Sequence, residues 1–503
     1  MTDGEDEETT DGFDAGYERA AESAVRGERF SSGPARAFLS SLEADERIFR
    51  ADLAVDRAHV VMLAEQGILD DAVAGEILGA LADIETAGHA ALPEGEDVQE
   101  AIESAVIDRI GPDGGRMHTA RSRNDEVAAD IRYRLRKDLL ETLETVLAAR
   151  GTLIPVADEE SATVMPGYTH LQPAQPVTVG YWAASYERPL ARDTARLIET
   201  FDRTNRNPLG AGAFGGVAYD VDRERTADLL GFDGVLANGM DAVSTRDFLV
   251  ETTAALATLA TTLSGLAEDL VVFANRGLVD LDDAYASTSS IMPQKKNPDT
   301  MELVRGRTGD ATAGLNGLLT TLKGLPRAYN RDLQQATTHV WGAVDAVTES
   351  ADVTAGAVAT ADWPAEALVT AAGEGFATAT GVADLLAQAG VPFRTAHEVV
   401  ATAADTGFEG PAPGFDALDE AAREVLGDSL GEYVDREDVE RVLDPAQSVA
   451  MRDSQGGPAA GAMADQLADA EAALETDREA LAERRRAVAA AADELETAVS
   501  AYV

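Results

Sequence analysis

The sequence predicts an all-α protein in three domains, the middle one a bundle of long helices. Three observations carry this prediction. Alternating strand patterns are nearly absent along the 503 residues. Apolar positions recur at helical spacing, as in Ile131, Leu135, Leu139, Leu143 and Val146, which line one stripe of a rod. Residues 252–267 carry no charge at all, the pattern of a helix enclosed on every side. Several chains sharing one bundle would enclose such a rod more easily than one chain, so a homo-oligomer is expected. The expected domains are 1–120, helical with an acidic tail; 121–369, the bundle; and 370–503, again helical.

Composition narrows the function. Ninety Asp and Glu against 41 Lys and Arg give a net charge of −49. That argues against nucleic acid and anionic membranes as partners, since both need basic patches. The acids are spread over helical patterns, the chain has only four lysines, and aromatic content is 5%. Together these describe a salt-adapted surface, because at molar ionic strength the Debye length is about 3 Å and self-repulsion is screened. Cysteine is absent, which excludes disulfides, thiolate nucleophiles and Cys-ligated metals. The first dozen residues are acidic and polar, unlike a signal peptide. The uncharged run 252–267 is short for a membrane span and rich in Thr. A soluble cytoplasmic protein is expected.

Taken in order, helices are expected over 52–66 and 71–87, separated by a turn at Gly67, and again from Glu96. Residues 114–125 then concentrate Arg116, His118, Arg121, Arg123 and Asn124 in a chain poor in positive charge. Guanidinium forks match carboxylates, so this stretch suits a dicarboxylate ligand; pairing with neighbouring acids is the plainer alternative. A long helix follows from Glu126 to about Ala157. Residues 163–176 hold three prolines and a glycine and are expected to form a defined loop presenting Thr169, His170, Gln172 and Gln175. Histidine moves protons near neutral pH. Helices return over 177–202 and 298–322. The loose glycine pattern in 209–216 follows no strand, which discounts a dinucleotide loop. In the tail, Leu467, Leu474, Leu481, Val488 and Leu495 recur every seven residues, and polar intermediates favour a long surface-packed helix.

The most informative stretch is 287–299. Two of the four lysines, Lys295 and Lys296, stand side by side there. Asn297 and Pro298 read as N-cap and first helical position. A helix N-terminus beside Lys295 and the serines makes an anion site, where a serine alkoxide becomes more accessible. A plain capping loop remains the alternative on spacing alone.

The run Ser289-Ser290-Ile291-Met292-Pro293-Gln294-Lys295-Lys296-Asn297-Pro298 resembles the signature of the fumarase/aspartase superfamily, and its Gln-Lys-Lys-Asn-Pro-Asp form resembles the argininosuccinate lyases. Residues 114–125, 163–176, 238–248 and 324–335 are similar to further segments of that family, as are Arg26 to Ser31 and Phe38 to Ser41. The resemblance implies a homotetramer with merged bundles and each site built from three subunits. It implies cleavage of argininosuccinate to arginine and fumarate. It makes Ser289 the base, His170 an assisting acid or orienting group, and Lys295 and Asn297 the holders of the carbanion. It assigns substrate contacts to Ser41, Thr119, Arg123, Asn124, Thr169, Gln172, Arg246, Tyr329 and Gln334. No metal or organic cofactor is called for, because the substrate carboxylate is the electron sink. The chain departs from the family at Gln99, a usual histidine; at Thr288, a usual glycine; and at Thr337, a common lysine. Those departures motivate an inactive structural relative as one alternative. Adenylosuccinate or aspartate as substrate is another, opposed by Gln294-Lys295-Lys296 and by Ser122-Arg123-Asn124-Asp125.

Overall fold

The computed structural model describes residues 34–408 and 410–503. The acidic stretch 1–16 and the segment from Arg26 to Ser31 lie outside the described residues. Among the described residues the chain forms eighteen α-helices and four short strands, which bears out the all-α reading.

The N-terminal layer comprises α1 (Pro34–Leu39), α2 (Phe49–Glu65), α3 (Asp71–Ala87) and α4 (Val98–Ile110). Gly67 turns the chain between α2 and α3 in the left-handed region, at φ 66°. Asp97 caps α4, its side chain accepting from the Glu100 amide at 2.9 Å.

The bundle follows. α5 (Arg123–Glu159) runs 37 residues and begins three residues earlier than expected. Ser122 and Asp125 close a capping box there, which sets the start. Next come β1 (Val164–Thr169) and β2 (Gln172–Thr178), then α6 (Val179–Thr204), α7 (Arg223–Leu230), α8 (Gly239–Ser244) and α9 (Asp247–Arg276). β3 (Ser287–Thr288) and β4 (Lys296–Asn297) precede α10 (Asp299–Leu322) and α11 (Ala336–Ala359). Leu139, Leu143, Leu256, Leu263, Leu318 and Val344 from four of these rods share one core.

Two expectations need correction. Residues 163–176 are not an irregular loop: β1 and β2 pair antiparallel, with Thr169 opposite Gln172. The prolines are tolerated because a two-stranded ribbon leaves each strand an unpaired edge. The uncharged run is not enclosed on every side within one chain. Thr258 and Thr261 are exposed, and only 44% of the most apolar stretch of α9 is buried. Helices α6, α10 and α11 cover one side of it and leave the other open. By length and composition α9 is the one helix among the described residues that could cross a membrane, and here it is a bundle rod.

Beyond the bundle, α12 (Ala365–Gly373) packs on the β1–β2 hairpin. Helices α13 (Ala379–Gln388), α14 (Phe393–Asp405), α15 (Phe415–Leu426) and α16 (Arg436–Leu443) enclose a core of their own, from Phe376 to Val442. After α17 (Pro445–Ala450), α18 (Ala460–Ser500) returns to the bundle and lies along α5 and α6. Its Leu467, Leu474 and Leu481 are buried there and Leu495 is buried in the core of the N-terminal layer, as the sevenfold spacing predicts for a surface-packed helix.

Candidate functional site

A cavity of about 350 Å³ lies between the N-terminal layer and the bundle. It gathers Ser41, Arg123, Asn124, Arg246, Tyr329 and Gln334, six of the residues singled out in the sequence. They come from α5's first turn, the residue before α9, and the segments flanking α1 and α11. The capping box holds Arg123 and Asn124 in the first turn of α5. Asp125 fixes that end further, accepting from the Gly210 and Gly212 amides at 2.8 Å each. The glycine-rich stretch brings its amides to the buried carboxylate in a tight turn: a side chain at Gly210 would meet Arg223, and one at Gly212 the Gly216 carbonyl.

Charge in the cavity is mostly paired. Arg123 donates to both oxygens of Asp97, at 2.7 and 3.0 Å. Arg331 donates to Glu96 at 2.5 Å and to Gln334 at 3.2 Å. His118 faces Glu103 at 3.5 Å, while burial and the nearby Arg121 and Arg123 push its pKa down to about 4. Arg246 is 3% exposed. Its Nη1 donates to the carbonyls of Val243 and Thr245, at 3.2 and 2.7 Å, and burial lowers its pKa to about 10. Burial also raises the phenol of Tyr329. Gln99 lines the cavity and donates to the buried Asp130 at 2.7 Å, so it is bound to the wall and cannot titrate.

Thr119 does not line this cavity; its carbonyl accepts from His59 at 2.8 Å. Thr169, His170, Gln172, Ser289, Lys295 and Asn297 lie elsewhere. His170 and Leu171 form the two-residue turn of the hairpin, both left-handed, at φ 56° and 57°. For Leu this costs roughly 1–2 kcal/mol. Arg276 secures the tip, donating to the Leu171 carbonyl at 2.8 Å and covering the Tyr168 ring at 4.5 Å. His170 itself is exposed.

The serine loop is exposed too. Ser289 Oγ accepts from the amides of Ile291 and Met292, at 3.3 and 3.1 Å. Two N–H groups on one oxygen favour its anion. The adjacent lysines differ. Lys296 is tied to Asp283 and Asp280 at 2.9 and 3.0 Å, and those contacts raise its pKa. Lys295 donates to Asn297 Oδ1 at 2.5 Å. Asn297 is therefore not the N-cap of α10: Pro298 holds that place without a side-chain cap. The short pairing of Ser287 with Asn297 keeps residue 297 extended, and Lys295 occupies its side-chain oxygen.

The cavity and the serine loop stand at opposite ends of the bundle. Arg246 precedes α9, whereas Arg276 ends it and holds the hairpin tip. Lys296 pairs with Asp280, just past the same end. Thirty residues at 1.5 Å each put these ends about 45 Å apart. Within one chain Ser289 and His170 cannot reach Arg123 or Arg246.

Two cavity residues escaped the sequence reading. Asp45 lies four residues after Ser41 and accepts from its hydroxyl at 2.7 Å; that spacing was the available signal. Arg331 sits two residues beyond Tyr329, inside a segment already marked.

Residues 37–312 match the lyase family and residues 376–450 the argininosuccinate lyase C-terminal family. The argininosuccinate lyase of Haloarcula marismortui is 68% identical, with 100% of each chain covered. That of Natronomonas pharaonis is 66% identical over 95% of this chain and 96% of its own. Among solved structures, an EDDS lyase in complex with formate has a TM-score of 0.85 at 33% identity, covering 94% of this chain and 96% of that one. A class II fumarase from Schistosoma mansoni shares the fold, with a TM-score of 0.71 at 15% identity, over 85% of this chain and 98% of that one. The chain belongs to the argininosuccinate lyase family of the fumarase/aspartase superfamily.

Proposed function

We propose that this protein cleaves argininosuccinate to L-arginine and fumarate, as a step of arginine biosynthesis. The observation that carries the reading is the intact 289–298 loop, with Ser289 under two amides and Lys295 on Asn297, in a chain 68% identical end to end to an argininosuccinate lyase. A variant of EDDS lyase, 32% identical with a TM-score of 0.82 and covering 94% of this chain and 96% of that one, holds bound fumarate, which fits the proposed product.

In this reading Ser289, as the alkoxide, takes the Cβ proton of the succinyl group. The electron pair enters the adjacent carboxylate as an aci-carboxylate, facing Lys295 and Asn297. It then forms the carbon–carbon double bond as the carbon–nitrogen bond breaks. The guanidine nitrogen leaves with the bond pair and gains a proton, with His170 as acid or orienting group. Arg123, Asn124, Arg246, Tyr329 and Gln334 bind the rest of the substrate, with Ser41 beside them. Thr119, Thr169 and Gln172 complete the contacts from the other segments. Interactions that strengthen as charge develops accelerate the step.

The active form is a homotetramer whose sites combine segments of three subunits. Two features support this: the 45 Å scale separating the two halves of the site, and the open side of α9 beside exposed Leu303 and Leu319 on α10, 61% and 49% exposed. Exposed apolar side chains of this size along one rod mark an interface. The enzyme works in a salt-rich cytoplasm, consistent with its charge and with the Haloarcula and Natronomonas relatives.

Fumarate absorbance from purified protein in concentrated salt tests the activity. Release from argininosuccinate is expected, and release only from adenylosuccinate or aspartate would overturn the reading.

A further inference from the structure

Helices α2 and α5 turn buried acids toward each other. Asp52 and Asp56 stand one turn apart on α2, and Glu126 and Asp130 one turn apart on α5, so each pair shares a helix face. All four are 0–1% exposed, and none of them lines the substrate cavity. One carboxylate oxygen from each of Asp52, Asp56 and Glu126 lies within 4.8 Å of the other two. A single guanidinium enters the group: Arg121 Nη2 reaches Asp56 at 2.5 Å and Glu126 at 3.0 Å. Arg57, whose charge Asp56 also feels, is held by Glu85 and Glu496. Asp130 adds a separate observation. Its Oδ2 accepts from Gln99 at 2.7 Å, while its Oδ1 has no hydrogen-bond partner among the described residues. Neither oxygen of Asp52 has one. Burial first, and then the charge of Asp130, raise the Asp52 carboxyl well above the usual carboxylate range. Four buried carboxylates against one guanidinium leave three negative charges unbalanced. Desolvated charge of that kind is costly unless it is paired or coordinates a metal.

We propose that Asp52, Asp56 and Glu126 ligate a hard divalent cation, with Asp130 Oδ1 facing the same ion. The donors are carboxylate oxygens, which suit calcium, magnesium or manganese rather than the softer metals that take thiolates. A calcium ion with ligands at about 2.3–2.6 Å holds opposite oxygens about 4.6–5.2 Å apart. A triad spanning at most 4.8 Å can therefore close on one ion. The ion's two charges and that of Arg121 offset three of the four carboxylates. The ion replaces protons that burial would otherwise place on these groups. It also ties α2 to α5 one turn beyond Arg123 and Asn124, so its role is to brace the helix end that carries them. This site takes no part in the proposed reaction and does not depend on it.

The test is manganese binding to the full-length protein after exchange through EDTA. Equilibrium dialysis in concentrated KCl screens the surface carboxylates, so a buried site stands out. Wild type is compared with Asp52→Asn and with Asp428→Asn, an exposed acid outside the cluster. One tight ion per chain is expected in the wild type and in Asp428→Asn. In Asp52→Asn the affinity should fall about tenfold or more, because one charged ligand is lost. Excess calcium should displace the manganese. Wild-type crystals grown with manganese chloride give a readout that needs no variant to fold: an anomalous peak enclosed by Asp52, Asp56 and Glu126. A wild type without a tight ion, equal affinity in wild type and Asp52→Asn, or anomalous peaks confined to the surface each overturn the site. The cluster would then balance its charge with protons alone. Fumarate release from argininosuccinate is assayed on the same preparations. Its failure beside a bound ion overturns the activity and leaves the cation site standing.

Discussion

At one end of the bundle, Arg123 and Arg246 are set in a cavity walled by the N-terminal layer, with salt bridges and carbonyls fixing each group. At the other end, Lys295 and His170 stand exposed on two short hairpins, with Ser289 half-buried. The first end is built to bind: its groups are desolvated and oriented before any ligand arrives, so little is lost on ordering them. The second end, where we propose that the proton chemistry occurs, lacks within one chain the low-dielectric surroundings that strengthen such chemistry. The difference fits the proposed assembly: one chain prepares the cavity side of the site, and neighbouring subunits would bring the serine loop and the hairpin tip.

Removing the proposed base gives the largest expected effect. Ser289→Ala should lower kcat by about 10²–10⁴-fold, the range for a positioned acid–base group, with arginine affinity and oligomeric mass unchanged. A comparable loss of arginine binding in calorimetry would contradict the division between the ends. The second experiment rejoins them. Ser289→Ala and Arg123→Ala oligomers, each inactive, should regain fumarate release after being dissociated together and reassembled, because some mixed sites take both intact segments. No recovery would mean that each site draws both residues from one chain.

A pH profile sharpens the binding end. Burial, opposed by the Ser41 hydroxyl and the Val98 amide, raises the Asp45 carboxyl to about 6. Above that pH it is ionised; below it the charge is lost. The rate constant kcat/KM for argininosuccinate should therefore decline as pH falls through about 6, approaching tenfold per unit, and Asp45→Asn should flatten that limb. The smallest effect concerns the hairpin tip. Asn tolerates the left-handed region better than Leu, so Leu171→Asn should stabilise the hairpin locally by about 1 kcal/mol, read as slower hydrogen exchange of the β1 and β2 amides. Unchanged or faster exchange would show that contacts of Leu171 outweigh its backbone strain.

Much of the site was legible in the sequence because its residues come in dense local runs. The 289–298 run marked the serine and both lysines, and the 114–125 run marked Arg123 and Asn124. What the runs could not show was arrangement. Which of two adjacent lysines is free for Asn297 depends on Asp280 and Asp283, supplied by the turn after α9. The hairpin over 164–178 was hidden by its prolines, which read as loop until the pairing of two edges is seen. Asp45 looked like one more surface acid among 90.

By itself the sequence determined the helical class, the long amphipathic rods and the salt-adapted surface. These follow from composition and from spacing within a few turns, which local sterics and apolar periodicity translate directly. Only the tertiary structure decided that Asp45 and Arg246 share a cavity, and that Ser289 lies a full helix length away from Arg246. Those relations join residues from 43 to 201 positions apart through the packing of many side chains, and no local pattern carries them.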